Sequence, residues 1–209
     1  MGGKLIVFEG GEGAGKTTQI RRIHHWLNSA LPPYYTVQVT QEPGGTALGQ
    51  EIRTLLLGEH HPSNLAELLL YAADRAHHVE QDLKPALANH TIMLCDRYTD
   101  STVAYQGYGR GLDLKLIAEL NQIATQGLES DLTLWLDVPV EIGLLRAQNR
   151  GKRDRIEQAD LAFHQRVHHG FQSLAQQFPH RIHRIDANTT EIEVERQIQA
   201  VLQSLVLPN

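Results

Sequence analysis

The sequence predicts a doubly wound α/β fold, in which a parallel sheet of five strands is covered by helices on both faces. Short runs rich in β-branched and apolar residues alternate along the 209 residues with longer segments of helical spacing. Several of these short runs are almost wholly apolar, which is typical of strands buried on both faces of a sheet. A glycine-rich segment follows the first run, as expected where a strand turns sharply into a helix.

Taken in order, the elements form one continuous alternation. The strands are predicted at residues 5–9, 36–41, 91–96, 132–137 and 182–186. The helices are predicted at residues 17–31, 48–57, 65–89, 113–127, 140–150, 160–177 and 190–205. No repeat, low-complexity tract or linker interrupts the pattern, so we expect a single domain over residues 1–209.

Composition limits the classes of function. The formal net charge of −5 leaves no overall basic field for nucleic acid, although a local basic site for a small anion is compatible with it. The single cysteine, Cys95, cannot form an intrachain disulfide, which favours a reducing cytoplasm. Neither a signal peptide nor an apolar stretch of membrane-spanning length is evident, so we expect a cytoplasmic protein without a membrane partner.

The glycine-rich segment predicts a phosphate site. Residues 10–17 read G-G-E-G-A-G-K-T and match G-x-x-x-x-G-K-[ST] between a strand and a helix. The glycines let successive N–H groups converge on one anion, and the helix N-terminus adds positive potential. Lys16 would reach the β- and γ-phosphates of a nucleotide, and Thr17 would offer a hydroxyl to Mg²⁺. The guanine-reading N-K-x-D segment is absent, which argues against a GTPase switch.

Four further segments identify a family. They are E-P-G-G-T at 42–46, L-L-Y-A-A-D-R-A-H-H at 69–78, D-R-Y-x-x-S-T-V-A-Y-Q-G at 96–107 and R-G-K-R-D-R-I-E at 150–157. In this order they resemble the thymidylate kinase family from about residue 4 to residue 190. The resemblance implies a P-loop nucleoside monophosphate kinase fold, direct in-line transfer of a phosphoryl group from ATP to dTMP with Mg²⁺, and a homodimer. Apolar faces within residues 65–70 or 116–123 are candidates for the dimer interface.

The resemblance also assigns roles to individual residues. The expected catalytic residues are Lys16, Arg97, Arg153 and Arg155. The expected ATP-binding residues are Gly10, Gly11, Glu12, Gly13, Ala14, Gly15, Lys16, Thr17, Thr18 and Arg150. The expected dTMP-binding residues are Glu9, Glu12, Pro43, Arg53, Tyr71, Arg75, Arg97, Ser101, Thr102, Tyr105 and Gln106. The expected metal ligands are Thr17 and Asp96.

Physical reasons accompany the acceptor assignments. Arginine suits phosphate because its planar fork donates two hydrogen bonds, as expected for Arg97 and Arg53. Tyr71 would stack on thymine, and Arg75, four residues later on the same helix face, would reach a ring carbonyl. The resemblance further implies that Thr102 contacts the ring nitrogen edge, that Tyr105 packs below the sugar, and that Glu12 accepts from the 3′-hydroxyl.

Simpler interpretations stay open for several of these residues. Asp137 also ends an apolar strand and rivals Asp96 for the metal, although a structural or capping role is favoured. Arg53 is also explained as a solvated helix charge, Tyr71 as a core residue, and Arg150 as a side chain lying against adenine. The twelve histidines, mostly in adjacent pairs, are interpreted as surface residues.

Residues 146–158, called the lid below, are strongly charged and predict a mobile, solvent-facing segment that closes over ATP. Some family members carry arginine where this chain has Gly13, and here the lid arginines would supply that charge. The family usually has a basic residue where this chain has Gln41. The alternatives are a kinase for another nucleoside monophosphate or a deoxynucleoside, and a P-loop regulatory ATPase.

Overall fold

The computed structural model describes residues 2–151 and 154–206 and contains the expected sheet. All strand pairings are parallel, and the strand order is β2-β3-β1-β4-β5. The strands are β1 Lys4–Glu9, β2 Thr36–Gln41, β3 Thr91–Asp96, β4 Leu132–Asp137 and β5 Ile182–Asp186. Consecutive strands therefore lie on both sides of β1, which confirms the doubly wound arrangement.

The helices connect and cover these strands. They are α1 Lys16–Ala30, α2 Ala47–Leu57, α3 Asn64–His78, α4 Lys84–Ala88, α5 Thr99–Thr102, α6 Leu114–Thr125, α7 Val140–Gln148, α8 Leu161–Gln177 and α9 Glu191–Val206. A π-helical turn, Val79–Leu83, divides the single helix predicted at 65–89. A second π-helical segment, Val103–Gly109, extends α5 where no helix was predicted, because its glycines and polar residues hide the helical period.

The central strand β1 shows why the sheet carries two helical layers. Its successive side chains point to opposite faces, and Leu5 through Phe8 are all fully buried. Ile6 and Phe8 join the core cluster formed with α1 and α9, whereas Leu5 and Val7 join the cluster that contains Val79. Because both faces of β1 are buried, the strand needs apolar residues at almost every position.

The strand ends bring polar residues to one edge of the sheet. Phe8 of β1 and Gln41 of β2 both pair with Asp96 of β3, so β2 and β3 end at the same level and β1 ends one residue further on, at Glu9. In open parallel sheets this carboxyl edge, near the reversal of strand order, is where ligands bind.

The prediction of a solvent-facing lid is wrong for Ile156. Ile156 is only 4% exposed and packs in a cluster with Tyr105, Trp135 and Phe163, because an apolar side chain among charged neighbours still gains by burial. Arg150, by contrast, keeps 61% of its side chain exposed. Lys152 and Arg153 lie outside the described residues.

The interpretation of the histidines as surface residues is also wrong in part. His78 is fully buried, and hydrogen bonds from its ring nitrogens to Glu42 and Thr40 offset the cost of removing it from water. His164 is buried as well. Within residues 2–151 and 154–206, no helix is both long enough and apolar enough to cross a bilayer.

Candidate active site

A cavity of about 670 Å³ opens at the carboxyl edge of the sheet. It gathers most residues predicted from the sequence to bind substrates. Those in its wall are Glu12, Gly13, Ala14, Gly15, Lys16, Thr17, Thr18, Pro43, Arg53, Tyr71, Arg75, Asp96, Arg97, Ser101, Thr102, Tyr105, Gln106 and Arg150. The predicted residues Glu9, Gly10, Gly11 and Arg155 are described but lie outside this wall.

The phosphate loop has the backbone that its glycines permit. Gly10, Gly13 and Gly15 have positive φ angles of 144°, 68° and 89°. A Cβ atom on Gly13 would lie 1.9 Å from the carbonyl oxygen of Gly143, so no side chain fits there. The Lys16 Nζ donates to the carbonyl oxygens of Gly10 at 3.1 Å and Gly11 at 3.3 Å. These two carbonyl oxygens position the Lys16 ammonium group in the cavity wall.

Arg97 stands next to the loop in a strained backbone conformation. Its φ of 72° is unusual for a non-glycine residue and turns the chain at the end of β3. Its Nη1 donates to the carbonyl of Gly10 at 3.1 Å and to Ser101 Oγ at 3.2 Å, and its Nη2 donates to Glu12 at 2.8 Å. Its guanidinium carbon lies 4.7 Å from the centre of the Tyr105 ring. Arg97 is therefore a positioned cation in the cavity wall.

Glu12 is the acidic partner of this arginine. Its Oε1 accepts from Arg97 Nη2 and from the Tyr105 hydroxyl at 2.7 Å. Burial alone would raise the pKa of Glu12, but the charges of Arg97 and Lys16 lower it to about 2. The Glu12 carboxylate is therefore ionised at neutral pH. The positive charges of Arg97 and Lys16 offset the repulsion that this carboxylate would exert on a bound phosphate.

Glu9 lies beneath the cavity floor rather than in its wall, in contrast to the predicted contact with dTMP. Its Oε1 accepts from the backbone N–H groups of Tyr98 and Ser101, and its Oε2 accepts from Ser101 Oγ at 2.6 Å. The side chain is fully buried, and burial raises its pKa to about 7 in spite of the Arg97 charge. Its contacts anchor the segment that carries Arg97.

Arg75 lines the cavity with most of its hydrogen-bond donors already bound to other residues of the protein. Its Nε donates to Glu42 at 2.7 Å, and its Nη1 donates to Thr102 at 2.8 Å and Asn121 at 2.9 Å. Its Nη2 donates to the carbonyl of Tyr98 at 3.0 Å. Four of its five N–H groups therefore bind protein acceptors, which leaves one for the predicted ring carbonyl. Arg75 fixes Thr102 as well as lining the cavity.

Glu42 continues this network beneath the E-P-G-G segment. Its second oxygen lies 2.8 Å from His78 Nδ1, and His78 Nε2 lies 2.7 Å from Thr40 Oγ1. The adjacent Pro43 carbonyl accepts from Arg53 Nη1 at 2.8 Å. Sequence reasoning assigned no role to Glu42 or His78, because their polar sequence neighbours give no sign that the two side chains are buried together.

Asp96 and Asp137 both end apolar strands but differ in their hydrogen bonding. Among the described residues no partner binds Asp96 Oδ1, which is buried at the cavity. Asp137 instead accepts from His168 at 2.7 Å and Arg184 at 2.6 Å. An unpaired carboxylate oxygen in a cavity that Thr17 also lines is the kind of ligand that a hard cation takes, whereas a doubly paired carboxylate is not. In the described ranges, no three or more His, Cys, Asp or Glu side chains form a metal-binding group.

The cavity wall also includes residues that sequence reasoning missed. Arg146 donates to the carbonyl of Ala187 at 3.1 Å, and Thr189 and Thr190 line the wall beside them. Ala187, Thr189 and Thr190 follow β5, so the convergence of parallel strand ends was the available signal for them, whereas Arg146 lies in α7. Arg150, also in this wall, donates to Glu157 at 2.9 Å.

The remaining lid arginines are placed differently. Arg155 donates through Nε to the carbonyl of Leu56 at 3.0 Å and through Nη2 to Glu67, neither of which lines the cavity. Arg153 lies outside the described residues, and its predicted catalytic role stays a prediction.

Comparison with known proteins agrees with this geometry. The sequence model of a family described as thymidylate kinase matches residues 8–198. The chain is 56% identical over 207 residues to the thymidylate kinase of Nostoc punctiforme, covering 97% of each. It is 55% identical over 224 residues to that of Trichodesmium erythraeum, covering 99% of this chain and 98% of the relative. A crystal structure of thymidylate kinase from Ehrlichia chaffeensis matches with a TM-score of 0.81 and 34% identity, over 97% of this chain and 100% of that one.

Proposed function

The chain belongs to the thymidylate kinase family, and on that premise we propose that it phosphorylates dTMP to dTDP with ATP as the donor. This reaction belongs to the synthesis of dTTP. One observation carries the proposal, namely that the phosphate loop and the arginines Arg53, Arg75 and Arg97 line the same cavity.

The positions of the cations support in-line transfer. Lys16 follows the phosphate loop, where the β- and γ-phosphates of a donor bind, and Arg97 lies between that loop and the acceptor wall. Arg53, which also lines the cavity, is near enough to Pro43 to share the acceptor side. Charge that spreads over the transferred phosphoryl group would thus meet fixed cations from both sides.

The acceptor needs no general base. An anionic oxygen of the dTMP phosphate attacks the γ-phosphorus of ATP directly, ADP leaves, and no covalent enzyme intermediate forms. Tyr71, half-buried in the wall, offers its ring to thymine, and Thr102 and Gln106 offer polar contacts to the base edge. Tyr105, held by Glu12, supports the sugar from below.

Asp96 and Thr17 are the residues that would hold Mg²⁺, directly or through water. The unpaired Oδ1 of Asp96 and the exposed hydroxyl of Thr17 are both oxygen donors at the donor side of the cavity. The cation would neutralise charge on the β- and γ-phosphates. The small number of protein ligands is typical of sites where substrate and water complete the Mg²⁺ shell.

We propose a homodimer located in the cytoplasm, without nucleic-acid or membrane partners. The packed helices α3 and α6 expose large apolar side chains, including Leu65 and Leu69 on α3 and Ile123 on α6, which is 71% exposed. Such a face is suited to a second copy of the chain. Light scattering should give twice the chain mass of 23.4 kDa, and a monomer at all concentrations would contradict this part of the proposal.

The decisive experiment measures ADP release with ATP, Mg²⁺ and one nucleoside monophosphate at a time. We expect strong turnover with dTMP, weaker turnover with dUMP, and negligible turnover with AMP, GMP or CMP. A reaction without added acceptor provides the matched background. Slow ATP loss that dTMP does not accelerate would overturn the proposal and favour a regulatory ATPase, whereas preference for another monophosphate would favour a different nucleotide kinase.

A further inference from the structure

The lid and the acceptor wall meet at one buried carboxylate. Glu67, in the first turn of α3, is 1% exposed and is surrounded by donors from two other parts of the chain. Its Oε1 accepts from Gln106 at 2.9 Å, its two oxygens share the Arg110 guanidinium at 3.3 Å, and its Oε2 accepts from Arg155. Although burial raises its pKa, the hydrogen bonds from Gln106 and Arg155 and the Arg110 charge lower it overall, so Glu67 is ionised.

Arg155 also reaches a second element of the acceptor side. Its Nε donates to the carbonyl of Leu56, in the last turn of α2, where helix carbonyls lack partners within the helix and favour cations. The next residue, Ile156, packs against Tyr105 and Phe163. Two polar contacts and one apolar contact therefore hold this part of the lid against α2, α3 and the segment of Tyr105.

We propose that Glu67 is a positioning residue that holds residues 154–158 of the lid against α2 and α3 through Arg155, and that Arg155 acts through this contact rather than by touching the transferred phosphoryl group. The idea rests on the proposed function, since it assigns a role within the phosphoryl transfer. It revises the expectation that Arg155 is catalytic. The contact between Arg155 and Glu67 is called the latch below.

The composition of the cluster makes the latch reversible. When Arg155 leaves, Glu67 keeps Arg110 and Gln106, so lid opening does not strand a buried charge, which would be costly. Arg155 itself can return to water with the rest of the lid. The same carboxylate binds Gln106, which lines the cavity, so lid closure and the acceptor wall share one side chain.

A double-mutant cycle on Glu67→Gln and Arg155→Gln tests the latch. We expect each single variant to lower kcat about tenfold, because one charge-assisted hydrogen bond that favours the closed lid is lost. The double variant should lose no more than about tenfold, because both changes break the same contact. Arg110→Gln is the matched control, since it removes a neighbouring pair of Glu67 but not the latch, and it should keep kcat within about twofold of the wild type.

Amide hydrogen exchange provides a readout besides activity. Exchange within residues 154–159 should accelerate about tenfold in both single variants, while α8 keeps its protection.

A double variant that loses about a hundredfold in kcat would overturn the latch, because Arg155 would then act on the substrate independently. Unchanged lid exchange, or equal damage from Arg110→Gln, would overturn it too. If Glu67→Gln does not fold, Arg155→Gln alone still gives the exchange result. Wild-type protein without dTMP-dependent turnover would contradict the proposed function, and lid exchange would still decide the latch.

Discussion

The two ends of the cavity are built in opposite ways. At the end that the proposed function assigns to the acceptor, Arg75 is 2% exposed and four of its five N–H groups bind protein acceptors before any ligand arrives. At the donor end, Thr17 and Arg150 are exposed, and the only protein contact described for the Arg150 guanidinium is with Glu157. A saturated wall has one fixed shape and suits discrimination between bases, whereas open, weakly paired groups suit a charged phosphate chain that brings its own cation.

The largest loss of activity is expected from a substitution of Lys16, which we place where the two ends of the cavity meet. In Lys16→Met the cation at the phosphate loop is removed, so we expect kcat/KM to fall by about 10³-fold. The ADP-release assay with dTMP measures this loss. The folded state should persist in thermal melting, because Lys16 bonds only to carbonyls of its own loop among the described contacts. A loss below tenfold would show that the two ends do not share this charge.

Arg75→Lys tests the rigidity of the acceptor end. Lysine cannot reproduce the planar fork that binds Glu42, Thr102 and the Tyr98 carbonyl, so we expect the free energy of unfolding to fall by about 3–4 kcal/mol. The KM for dTMP should rise about tenfold as Thr102 loses its fixed position. Urea unfolding measures the first effect and initial rates the second.

Arg150→Lys is the matched control for that comparison. Its side chain is 61% exposed, so the free energy of unfolding should change by less than about 0.5 kcal/mol. Equal destabilisation by the two substitutions would contradict the distinction between the two ends of the cavity.

Glu9→Gln tests the buried support beneath Arg97. Because burial raises the folded pKa of Glu9 from 4.5 to about 7, the folded state binds the extra proton between these values, and stability from this group is lost as pH rises through 7. The contribution amounts to about 3 kcal/mol. The free energy of unfolding of the variant should therefore fall less steeply between pH 4.5 and 7 than that of the wild type.

The difference between those two pH curves isolates Glu9. The Glu12 carboxylate, with its pKa lowered to about 2, gives stability that is complete above pH 4.5 and is lost only in stronger acid. The Asp74 carboxyl, whose pKa burial and Glu42 raise to about 6, contributes equally to both proteins. Parallel curves would mean that Glu9 is ionised throughout this range in the folded protein.

Thr17→Ala carries the smallest effect and concerns the open donor end. Loss of the hydroxyl should raise the Mg²⁺ concentration needed for half-maximal turnover about tenfold, with the KM for dTMP unchanged. Thr17→Ser keeps the hydroxyl and should match the wild type. The dependence of turnover on free Mg²⁺ at saturating ATP and dTMP measures this, and an equal effect of both substitutions would argue against a metal role for Thr17.

Much of the site could be predicted because its signals are local. The phosphate loop has its residues in one contiguous segment, and the D-R-Y segment lies directly after a strand, so spacing and strand order place both at the same edge. The predictions were weakest for side chains whose partners are distant in the sequence. Glu67 and Arg155 are 88 residues apart, and nothing in either neighbourhood indicates the pair.

The sequence by itself determined the five strands, the doubly wound sheet and the phosphate loop, because hydrophobic period and glycine geometry act over a few residues. Only the tertiary structure decided which charged side chains are paired within the protein and which keep a free oxygen at the cavity. Asp96 has an unpaired oxygen and Asp137 has two partners, yet both end apolar strands with the same side chain. The physical reason is that the environment of a buried charge is set by whichever elements pack against it, and that packing is a property of the whole chain.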